Sequence, residues 1–198
     1  MVETIPTVGR ARGNYRWVST ALAYLLGSTT AAIPFGAAIA LLGEPVATHL
    51  GQRAAEGIGG IAALAWGLAE WGFLRLPRPQ RHEQVPAGWR ALLAPEVTGG
   101  LYGAMLGIGV LTRIAFASFY VLVVWTLLSG TLAGGALIFG AFAIARALPA
   151  VLLSPFLRHD EVAFQLAHRL MPLQRPLMRL TGLVLVVMAA LSFAHVLH

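Results

Sequence analysis

Three ionisable residues interrupt long apolar stretches and are the side chains best placed to do chemistry: Glu70, Arg113 and Arg146. A charge at the centre of a membrane helix costs at least about 2.5 kcal/mol, so each needs a partner or a role. Glu70 lies close to the end of its apolar run, where a carboxylate can snorkel to the surface. Arg146 is long enough to reach it, and the expected arrangement is a buried Glu70–Arg146 ion pair that fixes helix register. Arg113 then has no acidic counterpart. It either bonds carbonyls exposed by a broken helix or faces water and attracts an anion. Thr112 beside it, and the hydroxyl triplet Ser28, Thr29 and Thr30, complete a candidate polar site at mid-depth. Hydroxyls of this kind also bond back to their own helix.

Other chemistries lack their residues. The 198-residue chain has no cysteine, which removes thiol nucleophiles, thiolate metal sites and dithiol redox chemistry. His159, Asp160, Glu161 and His168 are metal-ligand types at a wet helix end, and no metal or cofactor is expected. His195 and His198 sit at the chain end and carry no role. No nucleophile elbow, zinc-protease, Walker A or dinucleotide fingerprint is present, so no enzyme is expected.

What must position these residues is a set of membrane helices. The chain is 58% hydrophobic and 11% charged, outside the range of soluble domains. Apolar runs predict crossings at about 17–42, 57–74, 98–129, 136–157 and 180–197. The third has 32 residues, roughly 48 Å as one helix, and is expected to be long or broken at mid-membrane. Gly130–Gly135 should form the turn after it. The fold expected is all-α and integral to the membrane, with five transmembrane helices and one polytopic domain. A short amphipathic interfacial helix, with Val162, Leu166 and Leu170 on its apolar side and Pro172 at its end, should lie between crossings four and five.

Charge distribution sets the orientation. The basic side chains are all arginine, 14 in number. Five crossings place eleven on one side against Arg53 on the other, whereas a sixth crossing would reduce the bias to seven against five. The expected location is a bacterial cytoplasmic membrane, N-terminus inside and C-terminus outside. The net charge of +6 therefore reports topology, and the expected partners are the bilayer and a second copy or a partner membrane subunit, not nucleic acid. Gly99, Gly103 and Gly107 form a small-residue face suited to helix packing, with a hinge or pore constriction as the other reading. Pro34 and Pro149 are expected helix breaks.

Three stretches carry a family resemblance: Leu25-Leu26-Gly27-Ser28 leading to Pro34-Phe35-Gly36; Gly99-Gly100-Leu101-Tyr102-Gly103-Ala104-Met105-Leu106-Gly107; and Gly140-Ala141-Phe142 through Ala147-Leu148-Pro149. From Tyr24 onward the chain resembles the cytochrome c biogenesis transmembrane family, which carries reducing equivalents across the membrane. The resemblance implies a helix broken at midplane. It departs at the family's first helix, which has no counterpart, and at its redox cysteines: Leu111-Thr112-Arg113 stands where a Pro-Cys pair belongs. The implied function is a cysteine-less scaffold moving a small polar or anionic solute past Arg113. The alternative is a non-transporting accessory or assembly subunit of a redox or cytochrome system.

Overall fold

The computed structural model describes residues 14–77, 92–109, 116–153 and 171–197. All the regular structure among them is helical: α1 (Asn14–Glu70), α2 (Pro95–Ile108), α3 (Ser118–Ser129), α4 (Leu132–Leu153) and α5 (Gln174–Leu197), with a 3-10 turn at Met171–Leu173 ahead of α5. Three of these helices are long and apolar enough to cross a membrane: α1, α4 and α5. Arg113, Thr112 and the expected amphipathic segment up to Leu170 lie outside the described residues.

As one straight rod, the 57 residues of α1 would extend roughly 85 Å. They do not, because Gly51 leaves the helical region at φ 71°, ψ 162°. A side chain is strongly disfavoured at that conformation, so glycine divides α1 into two arms, 14–50 and 52–70. The first arm extends past its apolar run at both ends, the second begins before its run and stops short of residue 74, and one residue makes the turn where a longer loop was expected. Pro34 and Pro149, expected as breaks, lie inside helices; each removes one backbone hydrogen bond. The second arm stops in a Schellman motif. The Phe73 N–H donates to Leu68 O at 3.0 Å and the Gly72 N–H to Ala69 O at 3.1 Å, with Gly72 at φ 86°.

The stretch expected as a long or broken third crossing is broken. α2 ends at Ile108, capped by Gly109 at φ 74°, and α3 begins only at Ser118. The turn after α3 is tighter than Gly130–Gly135: Gly130 takes the left-handed conformation, and α4 begins at Leu132.

The chain divides into two compact units. Unit one draws on Met1–Ala32, Gln80–Arg113 and Gly140–Pro172; unit two on Ile33–Pro79, Ile114–Phe139 and Leu173–His198. In unit one α2 runs parallel to the first arm, since Gly99, Gly103 and Gly107 meet Thr20, Tyr24 and Ser28 in the same order. In unit two, Leu127 and Gly130 of the α3 end meet Gly43 and Ala47, so α3 also runs with the first arm. α4 opposes it there, with Gly135 near Ala40 and Phe139 near Gly36. α5 opposes the second arm, with Ser192 against Gly60 and Leu185 against Gly67.

The core of unit two gathers Ala63, Val121, Leu185 and Ala189, flanked by Leu64, Trp66, Trp125 and Phe193. Alanines dominate the buried apolar positions of the chain, while leucines, isoleucines and valines dominate the exposed ones. In water-soluble proteins the large aliphatic residues are among those most often buried.

Candidate functional site

Unit one is organised by a glycine seam. A Cβ built on Gly99 would come within 2.9 Å of Thr20 O, and on Gly103 or Gly107 closer still to Tyr24 O and Ser28 O. Real Cβ atoms do not approach so near, so the seam exists because these positions have no side chain. Of its two readings, these contacts fit helix packing. The Ser28 hydroxyl, fully buried, donates across to Ala143 O of α4 at 3.4 Å. Thr29 and Thr30 instead donate to Leu25 O and Leu26 O of their own helix, each at 2.7 Å. The expected hydroxyl triplet therefore splits between a helix-to-helix contact and two local ones. At the other end of the seam, Ser19 donates to Glu96 Oε1 at 3.1 Å.

Arg146 belongs to the same unit. Its guanidinium lies 5.7 Å from the centroid of the Phe142 ring, a cation–π contact, and Tyr24 is its electrostatic neighbour. The aliphatic stem and ring stack give the cation an apolar platform within a helix that is otherwise uncharged.

Glu70 belongs to unit two, at the last residue of α1, and is 6% exposed. Its Oε1 accepts the backbone N–H of Ala117, the residue that opens α3. A carboxylate there meets the positive end of the α3 dipole and one of its unsatisfied amides. One turn earlier Trp66 stacks on Tyr120, with ring centroids 5.9 Å apart. Beyond Glu70, the Trp71 indole donates to Arg179 O of α5 at 2.9 Å. The end of the second arm thus holds the starts of both α3 and α5. At the other end, His195 Nδ1 of α5 stands 3.3 Å from Glu56 Oε2, and Gln52 donates to Glu56 Oε1 at 2.9 Å.

Several of these roles escaped the sequence. Glu70 has a backbone partner 47 positions away, which no spacing rule reveals. His195, expected to be idle, meets Glu56, and only its i, i+4 neighbours could have been examined in advance. Glu70 and Arg146 fall in different units, each with partners in its own. No group of three or more His, Asp or Glu side chains suited to a metal occurs among the described residues. Ser28, Glu70 and Trp71 tie helices to one another.

No family model matches the chain, and no solved structure matches it. Curated relatives do. The methylamine utilization protein MauF of Paracoccus versutus is 35% identical over 146 residues, 73% of this chain and 53% of that protein. MauF of Methylophilus methylotrophus is 33% identical over 136 residues, 68% of this chain and 47% of its own length. MauF of Methylorubrum extorquens is 32% identical over 142 residues, covering 70% and 49%.

These similarities correct the expected cytochrome c biogenesis kinship and the solute-transporter function built on it. The motifs behind that resemblance were Gly and Pro spacings, and the seam shows what they report. Gly27, Gly103 and Gly107 are required by close helix approach, a demand shared by membrane helices of any function. The chain spans about half the length of the curated relatives it matches, and what it resembles along that length is the methylamine utilization protein MauF.

Proposed function

We propose that the chain is an integral membrane protein acting as a non-transporting, non-catalytic accessory or assembly subunit of an amine-utilising redox system. Similarity to the MauF proteins over about two thirds of the chain or more carries this reading. The accessory role agrees with how its polar groups are used. Ser28, Glu70 and Trp71 each join one helix to another.

Five crossings are the arrangement we favour, with the N-terminus cytoplasmic and the C-terminus outside. The arginine bias of eleven to one supports it. Large apolar side chains face outward and small ones inward, which suits lipid. Glu56–His195 and Trp71–Arg179 lie 16 positions apart along α5, about 24 Å at 1.5 Å per residue, close to a bilayer's apolar thickness. An odd number of crossings also suits association with a second copy or a partner membrane subunit.

The test is deletion of the gene in its own host with amine as the growth substrate. Amine oxidation and assembly of the oxidising enzyme should fall, and the tagged full chain should bring down a membrane or redox partner. Undiminished amine oxidation, with a tagged chain that purifies as a monomer without company, would defeat the proposal.

A further inference from the structure

We propose that the end of unit two formed by the α1 terminus and the start of α5 is a docking surface for anionic phospholipid headgroups. The inference rests on the membrane-spanning reading above. The Schellman turn at Gly72 ends α1 and leaves Phe73 74% exposed, beside Trp71 at 37%. The two rings stand edge to face, 6.3 Å between centroids, and the Trp71 indole N–H is held by Arg179 O. This contact brings the start of α5 alongside, with Arg175 and Arg179 one turn apart and both exposed; Arg75, also exposed, follows Phe73 by two residues.

The charge here is one-sided among the described residues of unit two. Glu70 is buried and accepts the Ala117 N–H. Glu44 and Glu56 flank the Gly51 turn, and the Glu56–His195 contact puts that turn about 24 Å along α5. Three exposed arginines and two exposed aromatic residues thus share the end of unit two where apolar helices end. Guanidinium forks match phosphate oxygens, and each basic group near an anionic leaflet contributes about 1 kcal/mol. Aromatic rings favour the headgroup–acyl boundary, so the same surface meets both parts of one lipid. A free anion would use the arginines and leave the rings unengaged.

The full chain is reconstituted into vesicles of phosphatidylcholine, with or without phosphatidylglycerol, and lipid retained by the protein is counted after extraction in mild detergent. Phosphatidylglycerol should be enriched over its share of the vesicle. The enrichment should fall about fivefold for each arginine removed in Arg75→Gln, Arg175→Gln and Arg179→Gln. Arg175→Lys and Arg179→Lys, which keep the charge, should retain most of it, and Phe73→Ala should weaken it. Equal retention of both lipids by the wild-type chain would overturn the proposal, as would unchanged enrichment in the folded glutamine variants. Competition by inorganic phosphate at equal concentration would also overturn it, showing a free-anion site. A chain that fails to insert into either vesicle defeats the spanning reading instead.

Discussion

The smallest differences that matter are single atoms. Gly103 and Gly100 are neighbours on α2, yet a Cβ on Gly100 would have ordinary contact with Ala23 O at 3.6 Å, while one on Gly103 would overlap Tyr24 O. Gly103→Ala should therefore lower stability by about 1–3 kcal/mol, the usual cost of overpacking. Gly100→Ala should be close to neutral. Gly57 has nothing within 4 Å of its built Cβ, so Gly57→Ala should stabilise by about 0.4–1 kcal/mol through reduced chain entropy. Thermal unfolding of the three variants in one detergent would check the order. Glu70 offers a second comparison. Glu70→Gln keeps an acceptor oxygen for the Ala117 N–H, whereas Glu70→Leu leaves that buried amide unmet. The leucine variant should lose about 1–3 kcal/mol and the glutamine variant clearly less, as read from the same unfolding midpoints.

Elements were legible where their signal was local. Apolar run length located α4 and α5, and the excess length of 98–129 foretold its division into α2 and α3. The turn in α1 was not legible, because Gly51 is one of 22 glycines and nothing nearby in sequence marks it as the one that leaves the helix. Pro34 and Pro149 lie inside helices, at the loss of a hydrogen bond each, and it is Gly51 that divides α1. The candidate polar residues fared similarly. Thr29 and Thr30 bond locally, as their spacing allows, but the partners of Ser28 and Glu70 lie 115 and 47 positions away. Only packing chooses such partners. At this scale Gly51→Ala tests the division of α1. A Cβ has open space there, so the whole effect is backbone strain, and the cost should be about 1–3 kcal/mol. Gly57→Ala in the same helix is the control without strain. Unfolding in detergent should separate the two in opposite directions.

At the scale of the whole molecule, the arginine distribution is the argument for the proposed topology. Five crossings place eleven arginines on one side against one on the other; a second crossing by 98–129 would reduce the bias to seven against five and end α5 on the side where the chain begins. Reporter fusions decide the matter. A periplasm-active enzyme joined after His198 should be active, and the same enzyme joined after Gly88 should be silent. A cytoplasm-dependent fluorophore at the two positions should give the converse. Activity at the same side for both would remove the five-crossing arrangement. A double crossing would put Arg75 and the Arg175–Arg179 pair on opposite sides of the membrane, against the Trp71–Arg179 contact that holds the end of α1 beside the start of α5.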